Sequence, residues 1–119
     1  MKLMKISLTL LGVTLLFGAG AFAGNTIKKS VHLNENVTVA GKQLMPGDYK
    51  VEWSGSGPSV DLNFMEGQDV VATARAKVVS EAYPNEEDGY AIKPGRDGHV
   101  LLTEVFFSGA KYEFEIQPS

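Results

Sequence analysis

Apolar and polar residues alternate with a period of two along most of this chain. Val60, Leu62 and Phe64 alternate with Asp61 and Asn63, and Tyr49, Val51 and Trp53 alternate with Lys50 and Glu52. Over 70–79, Val70, Ala72, Ala74, Ala76 and Val78 share one parity, with Thr73, Arg75 and Lys77 on the other. A pleated strand sends such sets to opposite faces, one toward a core and one toward water. Segments 26–33, 36–41, 90–93, 99–107 and 111–116 read the same way. Turn-forming runs separate them: Asn34-Glu35-Asn36, "GSGP", "MEGQD", "PGRDG" and Ser108-Gly109-Ala110. The one competing helix is 66–82, rich in Ala, Arg, Lys and Glu. Its valine pairs and the Gly67 turn favour a hairpin instead. About seven to eight short strands at regular spacing predict an all-β domain, a small antiparallel β-sandwich or closed β-barrel.

The most patterned stretch is "GKQLMPGDYKVEW", 41–53. Pro46 fixes φ and Gly47 permits positive φ, so "MPGD" predicts a type II turn into a strand. Tyr49, Val51 and Trp53 then face inward, and Trp53, the only tryptophan, anchors the core. With the residues before it, the stretch carries Val37, Val39, Gly41, Leu44, Pro46, Gly47, Tyr49, Val51 and Trp53. This pattern resembles the V-x-V-x-G-x-x-L-x-P-G-x-Y-x-V-x-W segment of small uncharacterised bacterial proteins that bear a signal peptide. The resemblance implies an exported β domain and transfers no catalytic residue.

The first 23 residues stand apart from the strand pattern. Lys2 and Lys5 precede the apolar run "SLTLLGVTLLF", and Ala21 and Ala23 form an A-x-A cleavage signal. This is the order of a secretory signal peptide, whose apolar run is helical, so 1–23 is expected to be removed. A retained anchor is the alternative, because Ile6 to Ala23 carries no charge. The remaining 24–119 is a single small domain that is expected to be periplasmic or secreted, with no membrane association after cleavage. It has no cysteine, so neither disulfides nor lipid attachment at a cysteine can help it. The whole chain carries a net charge of −3, and loss of Lys2 and Lys5 makes the domain more acidic still. An acidic surface argues against nucleic acid and anionic membranes as partners.

Candidate chemistry is sparse. Without cysteine there is no thiol nucleophile and no thiolate metal site. His32 and His99 lack metal-ligand spacing, and two ligands do not close a zinc site. The loop "NEEDG", 85–89, offers oxygen ligands for calcium but lacks the spacing of a calcium loop, so it reads as a solvated acidic loop. Glu86, Glu87 and Asp88, and the pair Glu113 and Glu115, lack the contrasting environments that acid–base catalysis needs. The short strands imply a filled interior, with any ligand on the surface. No catalytic, cofactor or metal residue is therefore assigned.

Strand 99–107 is the exception to clean alternation. Leu101, Val105 and Phe107 share one parity with Thr103; Val100, Leu102 and Phe106 share the other with Glu104. Two apolar faces predict either a strand buried on both sides or an unpartnered face. Val100, Leu102 and Phe106 are accordingly the expected interface, toward a protein partner or a second copy. The chain reads as a non-catalytic exported bacterial β domain acting in binding or assembly at the cell envelope. The alternative is a small periplasmic hydrolase or metal-dependent enzyme with a site assembled across strands.

Overall fold

The computed structural model describes residues 26–55 and 57–118, so the signal peptide expected over 1–23 lies outside the described residues. The alternating segments form β1 (Thr26–Leu33), β2 (Val37–Val39), β3 (Lys42–Leu44), β4 (Gly47–Ser54) and β5 (Ser59–Glu66). They continue as β6 (Asp69–Ser80), β7 (Gly89–Pro94), β8 (Val100–Phe106) and β9 (Tyr112–Ile116), with one 3₁₀ turn at Arg96–Gly98. The fold is all-β. Segment 66–82, the rival helix, is the return arm of the β5–β6 hairpin. Among the described residues no helix is long and apolar enough to cross a membrane.

The expected second strand, 36–41, is interrupted. Ala40 and Gly41 adopt φ of 51° and 82°, and the chain reverses there into the β2–β3 hairpin. Positive φ at both central residues is the geometry of a type I′ turn, whose twist matches that of the strands. Alanine is rarely found in that conformation, which is why the sequence hides the turn. The expected type II turn at Pro46-Gly47 is also corrected. Gly47 has φ 151°, far from the ~80° of that turn, and is already the first residue of β4.

Hydrogen bonding joins the nine strands into one open sheet, in the order β1-β4-β5-β6-β9-β8-β2-β3, with β7 on the other side of β8. All ladders are antiparallel except a single parallel bridge, Thr38 to Leu101. One contiguous core lies against the sheet, built from residues such as Leu33, Val51, Leu62, Phe64, Val105 and Phe114. Trp53 is its aromatic centre, stacked on Phe107 at 5.7 Å and edge-on to Phe114 at 4.7 Å between ring centroids. These are the offset and T-shaped arrangements that ring quadrupoles favour. Tyr49 is buried in the same cluster, and its hydroxyl donates to the Met45 carbonyl at 2.6 Å.

Two β-bulges reset the alternation. Ala91 pairs with Glu104 but Ile92 pairs with Leu102, so Thr103 is an extra residue in β8. An extra residue turns every side chain beyond it to the opposite face. Leu102 points into the core before the bulge; Val105 and Phe107 do so after it. The buried residues Leu102, Val105 and Phe107, which the sequence divides between two faces, thus share one face read in two registers. In β6, Phe64 pairs with Ala72 and Met65 with Val70, so Val71 is the extra residue. Ala72, Ala74 and Ala76 are buried as expected, whereas Val70 is turned out and is 51 % exposed.

Candidate binding cleft between two strand edges

The bulge at Thr103 breaks up the expected interface. Leu102 is 3 % exposed and belongs to the core, so no partner can reach it. Val100 is half-buried and packs against the core cluster. Only Phe106 faces outward, opposite Gly89 of β7. A Cβ on Gly89 would stand 2.6 Å from the Phe106 ring, so the missing side chain is what lets the ring lie over β7. Covering a strand glycine with a cross-strand aromatic ring is a known way of stabilising such a pair.

Phe106 lines a cleft of about 750 Å³ between β1 and β7. Among the described residues each of these strands has one ladder partner, β4 and β8 respectively, so both present a free edge there. Ser30–His32 lines one wall and Gly89, Tyr90 and Ile92 the other. Val31 is buried at the floor, and Ile92 is 41 % exposed. Tyr90 crosses between the walls: its hydroxyl accepts from the Asn34 N–H at 2.9 Å and donates to the Glu35 carboxylate. Burial and the Glu35 hydrogen bond together raise the Tyr90 phenol above its ordinary pKa, so it stays a donor at neutral pH.

The cleft is acidic. Glu35, Asp48, Glu87 and Asp88 line it, with no lysine or arginine among the described lining residues. The 85–89 loop is held there by its own bonds. Asn85 donates from its side chain to the carbonyls of Phe107 and Tyr112, and Asp88 accepts from the Ser108 N–H at 2.8 Å. Part of the loop that sequence offers to calcium is therefore engaged in fastening the loop to the β8–β9 turn.

His32 lies on the rim. Its Nδ1 is 2.6 Å from Asp48 Oδ1, across the β1–β4 ladder, and both side chains are largely solvent-exposed. A histidine joined to a carboxylate in a cleft is the pairing a hydrolase needs. Ser30 lies two residues away on the same strand face, but the bond to its hydroxyl comes from Lys50 Nζ at 3.5 Å. Residues so spaced on a strand are ~7 Å apart, too far for direct proton transfer. His99 lines a different depression, so the two histidines do not converge.

Carboxylates meet elsewhere, on the outer face of β8 and β9. Glu104 is the cross-strand partner of Glu115, and Glu104, Glu113 and Glu115 can bring oxygens within 4.8 Å of one another. Burial, then repulsion and hydrogen bonding from Glu104 and Glu81, push the Glu113 carboxyl up to about 7. Sequence reading noted Glu113 and Glu115 as a pair; the strand pairing that adds Glu104 had no signal in spacing along the chain. Compared with known proteins, the chain matches no family model, no curated protein and no solved structure.

Proposed function

We propose that this is a non-catalytic exported bacterial domain that works in binding or assembly at the cell envelope, by taking an extended segment of another protein into the β1–β7 cleft. The observation that supports this reading is a pair of free strand edges facing one cleft, with their protective residues displaced from it. Exposed edges are ordinarily blunted with lysine and proline. Here Lys28 and Lys29 of β1, and Lys93 and Pro94 of β7, all lie outside the cleft lining. The third free edge, β3, is only three residues long and begins with Lys42. A strand laid in the cleft gains main-chain hydrogen bonds from the edge and apolar contact from Phe106 and Ile92. It would join β1 to β7 and close the open sheet into a barrel.

The four carboxylates select a cationic segment. A second copy of this chain, itself acidic, would bring like charge. The test is calorimetric titration of the domain with an eight-residue peptide of alternating lysine and valine. We expect saturable binding that is lost when prolines replace the valines, because proline removes the N–H donors. Phe106→Ala should weaken binding by about tenfold or more with the β circular dichroism intact. Equal binding of the proline peptide, or no effect of Phe106→Ala, would reject strand addition. Concentration-dependent mass in light scattering, without peptide binding, would point to self-assembly instead.

The His32–Asp48 pair supports a second reading, a small hydrolase. It requires ester or amide turnover that disappears in His32→Ala, whereas strand binding should survive that substitution.

A further inference from the structure

β8 and β9 part company at the bulge. β9 pairs with β8 only across Glu104–Phe106, then stays with β6 as far as Ile116, and the Gln117 N–H donates to the Arg75 carbonyl at 2.8 Å. On the same side of β8, β2 joins only at Leu101. Between these two pairings the sheet is split at Leu102 and Thr103, and a crevice of about 400 Å³ opens there. That volume is within the range of small-molecule sites. Leu101, Leu102 and Ile116 give it an apolar lining, and Lys93, Arg96 and His99 stand around it.

The charge of this crevice runs against the rest of the surface. The chain is acidic overall, yet the two cations Lys93 and Arg96 line this crevice, with Asp97 as the one carboxylate among the described lining residues. Among the described residues the ion pairs are made by Lys28, His32 and Arg75, and no carboxylate of those residues lies within 4.0 Å of the Lys93 or Arg96 side-chain nitrogens. The turn that presents Arg96 and His99 is closed by two backbone bonds, Gly95 N–H to His99 carbonyl at 2.7 Å and His99 N–H to Arg96 carbonyl at 3.0 Å. Asp97 within it has φ 57°, and Ala40 on the opposite wall has φ 51°. These are the two non-glycine residues with positive φ among those described, and both border the crevice. Such conformations are costly and cluster where a ligand is held.

We infer that the crevice between β8, β9 and β2 binds a small amphiphilic anion: a carboxylate or sulfonate carried on an apolar body. The apolar body lies on Leu101 and Ile116, displacing water from a surface that the sheet cannot cover. The anionic head meets the Arg96 guanidinium, whose fork matches a carboxylate, with Lys93 adding positive potential. A bare inorganic anion would leave the apolar lining wet, and a neutral amphiphile would leave the cations unanswered.

The experiment is calorimetry on the mature domain with decanoate, acetate and decyltrimethylammonium, with amide shifts followed by NMR. Decanoate should bind with a Kd near the millimolar range expected for a ligand of its size. Shifts should centre on Leu101, Thr103 and Ile116 rather than on Tyr90. Acetate and the cationic amphiphile should not bind. The double variant Lys93→Glu, Arg96→Glu should weaken decanoate more than about tenfold, the value of one charge-assisted hydrogen bond. Both residues are exposed, and unchanged melting will verify that the variant folds. Absence of decanoate binding, equal binding of the cation, or an unaffected double variant would overturn the inference. Sedimentation with phosphatidylglycerol vesicles separates the two sources of such an anion. The domain should stay in the supernatant; vesicle binding lost in the double variant would replace the free ligand by a lipid headgroup.

Discussion

The two faces of the β8–β9 ladder follow opposite physical rules. On the inner face Val105 pairs with Phe114, and Trp53 and Phe107 pack around that ring. On the outer face the neighbouring pairs are Glu104 with Glu115 and Phe106 with Glu113. Apolar cross-strand pairs stabilise a ladder, while like charges placed directly opposite destabilise it by similar amounts per pair. The inner face therefore supplies the free energy that the outer face partly spends. One sheet can hold both because alternation keeps them on opposite sides of the same backbone.

Deleting Thr103 attacks this separation most directly. Without the bulge, either Leu102 or the pair Val105 and Phe107 must turn outward. At ~1.5–3 kcal/mol for each buried side chain, the loss is comparable to the whole stability of a small domain. We expect the deletion variant to lack a cooperative thermal transition. A variant that melts cooperatively near the parent temperature would show that the bulge does not set the faces.

Trp53→Ala tests the inner face alone. Truncating a buried aromatic typically costs about 3–5 kcal/mol, through lost transfer energy and the cavity left behind. Trp53 is 4 % exposed and touches both Phe107 and Phe114, so the upper part of that range is expected in urea denaturation. An unchanged midpoint would remove Trp53 from the core.

Glu113→Gln tests the outer face, with a smaller effect of opposite sign. The Glu113 carboxyl is raised from 4.5 to about 7 in the folded protein. Between those values the folded state holds more protons than the unfolded one, so stability falls as pH rises through this window and levels off above it. Discounted for solvent screening, the raised pKa corresponds to about 1–2 kcal/mol. Glutamine removes that penalty. The variant should be more stable than the parent at pH 8, match it most closely near pH 4, and show a flatter profile between. Parallel profiles for the two proteins would mean that the carboxylates do not repel.

Ala40→Gly gives the smallest change and concerns neither face, which makes it the control. The left-handed conformation of Ala40 costs roughly 1–2 kcal/mol, and glycine removes that cost while losing ~0.5–1 kcal/mol to backbone entropy. A net gain of ~0.5–1 kcal/mol in urea denaturation is expected. Destabilisation would mean that the β2–β3 turn is relaxed as it stands.

Sequence by itself determined the all-β class, because alternation of the kind seen in Val60–Phe64 is a local consequence of strand geometry. It also picked out Trp53 as core, since that follows from side-chain parity near it. Tertiary structure decided what parity alone could not. Thr103 and Val71 became bulges because facing strands demanded a register, and no residue in either strand announces one. The expected trio Val100, Leu102 and Phe106 was divided for that reason. The β2–β3 turn was hidden because Ala40 has no preference for the conformation it adopts. The acidic cleft joins Glu35 and Asp48 to Glu87, residues far apart along the chain, and the split crevice joins Thr38 to Ile116. Such meetings depend on which strands lie side by side and where their pairing stops. Those are properties of the closed set of hydrogen bonds in the whole sheet, and no short window of sequence contains them.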